Sequence, residues 1–311
     1  MSPQISAIIC THNRAAYLRK AVRSLELQTL PAHAFEILVI DNCSTDETKR
    51  VVVEEFSHLP ALRYIYEPKL GLSQARNTGW MAASAPYLAF LDDDAVADPA
   101  WLEAALDAFS KTEKPIGLVG GPVRAIWECP RPDWLPTALL SYFTILESPR
   151  PAGFIDQNQL IAGANMVLAR RALEQAGGFS TKLGRKGSSL LSAEEVALRE
   201  RLTEAGYLSY YAPSVSVQHH IPAERVNKTW LRNRVYWGGV SDTVWWRLSK
   251  SRSVTETLFR GIRGLTGLAF HGSYFAALLL TRATEDAIFL RRCRTTRQLG
   301  KLQGLLSRNI S

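Results

Sequence analysis

Cysteine is scarce in this chain: there are four in 311 residues, at positions 10, 43, 129 and 293. They have neither the paired spacing of a zinc site nor the density of a disulfide scaffold, which leaves a reducing compartment as the simpler setting. The first residues, MSPQISAIICTHNR, have no basic start and no long apolar core, the marks expected of a cleavable leader. Export is therefore not expected. Long hydrophobic runs are missing too. The nearest approach is Gly264 to Thr281, 18 uncharged residues that include Thr266, His271, Ser273 and three Gly. That composition suits a buried or interfacial helix better than a membrane span. With 46% apolar and 21% charged residues, the chain is neither disordered nor in need of covalent staples.

The formal charge of +8 belongs to the tail. From Arg225 to Ser311 there are 16 Lys/Arg against 4 Asp/Glu, a net of +12, which leaves −4 for the preceding residues. These basic residues carry no recognisable base-reading motif, so no nucleic-acid partner is expected. The Arg group at 291, 292, 294 and 297 suits attraction to an anionic inner leaflet. Three readings of the tail stay open: peripheral membrane attachment, a soluble helical appendage or homo-oligomer contact, and a single membrane pass.

Strand and helix patterns alternate from residue 5 to residue 109. Ile5 to Cys10 is a β-branched run suited to a central strand, and Leu18, Val22 and Leu25 give a helix over Ala15 to Gln28 its apolar face. Phe35 to Ile40 predicts a second strand, after which Ser44 and Glu47 predict a capping box for a helix through Phe56. A strand at Ala61 to Tyr66, a helix over Ser73 to Ser84, a strand at Tyr87 to Leu91 and a helix over Pro99 to Phe109 follow. Short connections of this kind predict a largely parallel sheet covered on both faces.

Gly117 to Val123 predicts one more strand, and residues 124–162 then lose periodicity and read as an inserted segment. Gly163 to Ala169 resumes as a strand whose small first residues would tolerate a nearby ligand. Ser192 predicts the cap of a helix through Ala205, with Glu194 and Glu195 in its first turn. Tyr207 to Val217 predicts a strand that runs into His219 and His220.

The organising stretch is Pro86 to Pro99, where an apolar strand ends in Asp92, Asp93 and Asp94. Three adjacent carboxylates repel unless cations or solvent compensate them. In extended backbone Asp92 and Asp94 would point to one side and Asp93 to the other. Two oxygen ligands so placed suit Mg²⁺ or Mn²⁺, with phosphate oxygens and water completing the shell. A solvated loop, or an acidic cap on the next helix, is the plainer alternative.

Several segments in order resemble a known family. They are Ile8-Ile9-Cys10-Thr11-His12-Asn13-Arg14; Val39-Ile40-Asp41-Asn42 with Ser44-Thr45-Asp46; Gly71-Leu72-Ser73 with Ala75-Arg76-Asn77 and Gly79; Leu91 to Asp94; Glu194-Glu195 with Leu198 and Arg201-Leu202; and Val217, His219, Ile221 and Pro222. Over roughly residues 4–237 the chain resembles the family 2 glycosyltransferases of the GT-A fold. The resemblance implies an α/β fold with a Rossmann-like, mostly parallel sheet flanked by helices, and a helical, basic C-terminal extension. It implies a catalytic domain over 1–222, with a nucleotide-sugar half at 1–123 and an acceptor half at 124–222, ahead of a C-terminal region at 223–311.

It also implies an inverting, bacterial surface-glycan enzyme, for which the cytoplasm is the expected compartment, with the basic tail leaving open a peripheral place on the cytoplasmic face of the inner membrane. Such an enzyme moves a sugar from a nucleotide-diphosphate donor, UDP before dTDP or GDP, to a saccharide or lipid-linked saccharide, using Mn²⁺ or Mg²⁺. By the same resemblance Thr11, Asn13 and Arg14 line the nucleotide site, Asp41 meets the base or ribose, and Arg76 holds the base side. Asp92 and Asp93 belong to the donor signature, Asp94 contacts the metal with Asp92 and His219, and Glu195 is the base. Relatives carry Glu-Asp where this chain has Glu194-Glu195; a second Glu has a similar reference pKa and one methylene more reach. A nucleotidyltransferase is the rival enzyme, although no Gly-rich basic loop follows the first strand. A membrane-associated scaffold that has lost turnover is the other alternative.

Overall fold

The computed structural model describes residues 2–147, 150–156, 159–187, 189–249, 252–281 and 283–307. The chain forms two compact units: Met1–Ile126, Thr144–Thr181 and Glu195–His220 make the first, and Trp127–Phe143, Lys182–Glu194 and Ile221–Ser311 make the second.

The first unit is built on strands β1 (Ile5–Thr11), β2 (Phe35–Asp41), β3 (Leu62–Tyr66), β4 (Tyr87–Asp92), β5 (Ala95–Ala97), β6 (Ile116–Gly120), β7 (Val123–Trp127), β8 (Gly153–Ile155), β9 (Asn165–Ala169), β10 (Leu208–Tyr211) and β11 (Val217–Ile221). Eight of them form one sheet in the order β3-β2-β1-β4-β9-β6-β10-β8, and β5-β11-β7 form a second. Helices α1 (Ala15–Glu26), α2 (Thr48–Arg50, continuing as a wider turn to Glu55), α3 (Leu72–Ala82), α4 (Trp101–Ser110), α5 (Arg170–Gln175) and α6 (Glu194–Glu204) cover the large sheet.

Strand alternation divides the core. Ile5, Ala7 and Ile9 of β1, with Ile37 and Val39 of β2, pack with Leu18, Val22 and Leu25 of α1 and with Trp101 and Leu102 of α4. Ile8, Leu38, Ile40, Leu88 and Phe90 face the other way, onto Ala75 of α3, Leu173 of α5 and Leu198 of α6. Apolar residues on both faces of the central strands are what a doubly covered sheet requires. Gly79 permits the close seating of α3, because a Cβ there would lie 2.6 Å from Ile8 Cγ2.

Local patterns fail where a distant partner intervenes. β9 runs antiparallel to both β4 and β6, and β8 runs antiparallel to β10, so the sheet is mixed at one end. The expected strands at 117–123 and 207–217 each divide and enter both sheets; Gly121 marks the crossing, since a Cβ there would meet the Val215 carbonyl oxygen at 1.9 Å. The capping box is absent: Ser44 accepts from the Asn13 amide, and Asp46 instead accepts from the Thr48 amide at 3.0 Å and from the Ala15 amide at 3.1 Å. Ser192 stands two residues before α6, its amide donating to Ser241 Oγ, and Ala193 at φ +81° turns the chain into α6. The segment 124–162 is not structureless either, because it holds β7, a 3₁₀ helix at Thr137–Phe143 and β8.

The second unit is helical: α7 (Lys228–Ser249), α8 (Val254–Leu280) and α9 (Glu285–Leu306). α7 and α9 approach through Gly239 and Gly300, where a Cβ would sit 2.2 Å from the Arg297 carbonyl oxygen and 2.0 Å from that of Tyr236. Phe143 stacks on Trp230 and tilts against Trp127, and Trp134 meets Phe289 edge-on. These rings account for part of the aromatic content of the tail. No helix of the described residues is long and apolar enough to cross a membrane.

Candidate active site

β1, β2 and β4 deliver their last residues to one edge of the sheet, where Thr11 pairs with Asp41 and Cys10 with Asp92. β1 and β4 are neighbours although β2 and β3 lie between them in the chain. Such a reversal of strand order opens a crevice at the carboxyl ends, the usual ligand position in open α/β sheets.

β4 ends at Asp92, and a turn carries Asp93 and Asp94 onward. Asp93 accepts from Thr11 Oγ1 at 2.8 Å and from Arg14 at 3.1 Å, while Asp94 accepts from Arg14 at 2.6 Å. Burial pushes the Asp93 carboxyl up to about 6; Arg14 opposes the rise and Asp94 adds to it. β11 pairs antiparallel with β5, setting His219 opposite Ala95 and its Nε2 3.0 Å from Asp94 Oδ1. Asp92, Asp94 and His219 each offer a ligand atom, all within 4.8 Å of one another. Among the described residues, His219 Nδ1 is buried without a hydrogen-bond partner. Two carboxylate oxygens and one imidazole nitrogen fit Mn²⁺, and also Mg²⁺ with more water in its shell.

On the α3 side, Arg76 is buried and reaches Asp92 and Glu195, both at 3.4 Å. Phe179 lies under its guanidinium. Glu195 is 24% exposed, whereas the neighbouring Glu194 is 2% exposed. Only the first of the two is open to an incoming group. Cys10, packed under the edge, has its thiol pushed up to about 12 by burial, so it offers no thiolate nucleophile.

The remaining residues named from the sequence serve the loops of the crevice. Asp41 accepts from the Ser44 amide at 2.9 Å and from the Tyr64 hydroxyl at 2.7 Å. Asn13, at φ +54°, accepts through Oδ1 from the Thr45 amide at 2.7 Å and so ties the first loop to the second. Thr11 supports Asp93, as above. The structure thus gathers Arg14, Arg76, Asp92, Asp93, Asp94, Glu195 and His219, and sets Thr11, Asn13 and Asp41 around them.

The description "Glycosyl transferase family 2" fits residues 6–176 of the chain. The chain belongs to this family. It is a glycosyltransferase. Among curated relatives, a glucosyl-dolichyl phosphate glucuronosyltransferase of Haloferax volcanii is 26% identical over 246 residues, covering 78% of this chain and 77% of its own. Among solved structures, the mannosyltransferase PcManGT of Pyrobaculum calidifontis, in complex with GDP-Man and Mn²⁺, matches with a TM-score of 0.64 at 19% identity, over 98% of this chain and 86% of its own. Residues 1–349 of S. aureus TarS, in complex with UDP, match with a TM-score of 0.56 at 14% identity, over 96% and 89%. The α/β architecture with its large, mostly parallel sheet is that of these GT-A neighbours.

In this glycosyltransferase the small residues before β9 also make room for the protein's own site groups: a Cβ on Gly163 would lie 2.2 Å from Glu195 Oε1 and 2.6 Å from Arg76 Nη2. Both are side-chain ends and can move. Gly163→Ala is therefore expected to displace the carboxylate while leaving the fold intact, lowering transfer about a hundredfold because misplacement by about 1 Å has that effect. Turnover measured beside the thermal unfolding midpoint checks this; a large drop in the midpoint would contradict it.

Proposed function

We propose that the chain transfers a sugar, with inversion, from a nucleoside-diphosphate donor to a hydroxyl of a saccharide or lipid-linked saccharide. In this reading residues 1–123 hold the donor, with UDP as its nucleotide, and residues 124–222 contribute the acceptor side. The observation that carries the reading is the meeting of Asp92, Asp94 and His219 within 4.8 Å at the strand-order reversal. The neighbours' complexes with GDP-Man and Mn²⁺ and with UDP support a nucleotide-sugar ligand of this kind. The relative named for a dolichyl phosphate substrate supports a lipid-linked acceptor.

Asp92, Asp94 and His219 would hold Mn²⁺ or Mg²⁺. A divalent ion supplies neutralisation of the negative charge that develops on a departing diphosphate. Arg14, held against Asp93 and Asp94, adds positive charge on the same edge. Glu195 takes the proton of the attacking hydroxyl. Its partner Arg76 fixes its position. Direct displacement by the activated hydroxyl needs no protein nucleophile and inverts the anomeric centre. The net +12 of the tail suits work at the anionic cytoplasmic face of a membrane, where a lipid-linked acceptor would lie.

Calorimetric titration with UDP-, GDP- and dTDP-sugars, with and without Mn²⁺, tests the reading. One donor is expected to bind with Mn²⁺ and at least tenfold more weakly without it. Binding of no nucleotide sugar under either condition would overturn it.

A further inference from the structure

The second unit holds an open pocket of about 400 Å³ between α7, α8 and α9. Arg260, Arg263 and Lys301 line it beside Trp246, Phe259 and Leu302. The guanidinium of Arg260 lies over the Trp246 ring, 4.5 Å from its centre, and is oriented by that contact. Glu256 also lines the pocket, where it closes the capping box of α8 with Ser253 and faces Arg252, while Asp242 accepts from Arg297 at 2.8 Å. Among the described residues, no carboxylate pairs with Arg260, Arg263 or Lys301 within salt-bridge distance. Burial lowers the pKa of the Lys301 ammonium and Arg297 lowers it further, Asp242 opposes the fall, and Arg260 and Arg263 add smaller decreases. Three cations around one cavity repel each other, and a bound anion would remove that repulsion.

The outer face of α8 identifies the kind of anion. Val254, Leu258, Phe259, Ile262, Leu265 and Phe270 are each more than half exposed. At 3.6 residues per turn they fall in an arc of about 160°, and the arc contains no charged residue. Phe259 belongs both to this arc and to the lining of the cavity, so the cations and the apolar face are contiguous. Arg291 stands at the far end, 3.8 Å from the centre of the Tyr274 ring. A free phosphate would use the cations and leave the face bare. A second copy would bring the same excess of positive charge against the first. An anionic amphiphile complements both features.

We propose that this cavity is a phospholipid site, in which Arg260, Arg263 and Lys301 hold the phosphate of an anionic lipid while the uncharged face of α8 lies in the bilayer interface. The site stands apart from the sugar-transfer chemistry, so its test needs neither donor nor acceptor. The full-length protein is floated with vesicles of phosphatidylglycerol or of phosphatidylcholine. Binding to the first is expected to exceed binding to the second at least tenfold. The triple variant R260Q/R263Q/K301Q is expected to lose about a hundredfold in affinity for the anionic vesicles, from the loss of three basic contacts at about tenfold or less each. It should unfold at the same temperature as the wild type or higher, because repulsion has been removed.

A charge-matched control, R232Q/R292Q/R294Q, removes three cations that do not line the cavity and is expected to lose at least tenfold less. Equal losses in the two triples would mean diffuse attraction and would overturn the site. Three other results would also overturn it: protection against thermal unfolding by millimolar inorganic phosphate that matches the protection by anionic vesicles, a stable dimer in sedimentation that L258S/I262S dissolves, or vesicle binding unchanged in the cavity triple.

Discussion

Glu195→Gln is expected to lower sugar transfer by about 10³-fold while leaving donor affinity within a few-fold of wild type. Loss of a general base removes about 10²–10⁴ in rate. The amide keeps the size of the side chain and can still accept from Arg76, which lies 3.4 Å from the Glu195 oxygen. What it lacks is a site for the acceptor's proton. Single-turnover transfer measured beside calorimetric donor binding separates the two quantities. Glu194→Gln serves as the comparison, because Glu194 is buried and cannot meet an acceptor hydroxyl. If Glu195→Gln turned over at the wild-type rate, or Glu194→Gln failed alone, the assignment of the base would be wrong.

Asp94→Asn is expected to abolish the response of donor binding to Mn²⁺ and to lower transfer by at least about 10³-fold, the scale on which charge stabilisation of a leaving group is lost. Asp94 contributes one oxygen to the cluster with Asp92 and His219 and another to Arg14 at 2.6 Å. The substitution removes the negative charge from the most buried carboxylate of the three-residue cluster. Arg14 retains Asp93 at 3.1 Å, so the edge of the sheet stays anchored and the unfolding midpoint should move little. Titration of wild type and variant with the donor, in Mn²⁺ and in chelator, checks this. Persistence of a Mn²⁺-dependent affinity in Asp94→Asn would move the ion to other ligands.

Much of this glycosyltransferase could be read from local patterns. The alternating apolar residues of Ile5 to Cys10, Phe35 to Ile40 and Tyr87 to Leu91 record burial on both faces, and the spacing of Leu18, Val22 and Leu25 records a helix packed by one side. Burial periodicity is a local property, so a linear pattern carries it. The acids after Leu91 were legible for a related reason: a strand that ends in three charges must end at an edge where something compensates them.

Patterns failed where the deciding group came from elsewhere in the chain. Ser44 and Glu47 have the spacing of a capping box, yet Asp46 does the capping because it serves α1 and α2 together. At Gly163 the pattern showed only that small residues leave room, and the neighbours Glu195 and Arg76 show which side chains use it.

The amino-acid order by itself determined the alternating α/β architecture of the first half, the acidic strand end and the basic, helical tail, because each depends on residues within a few positions of one another. Only the tertiary structure decided that β9 runs antiparallel between β4 and β6, and that one helix carries both cationic pocket-lining residues and an uncharged outer face. Those outcomes depend on strand pairing and packing between distant segments, whose energies are shared among many partners and appear in no short stretch of the chain.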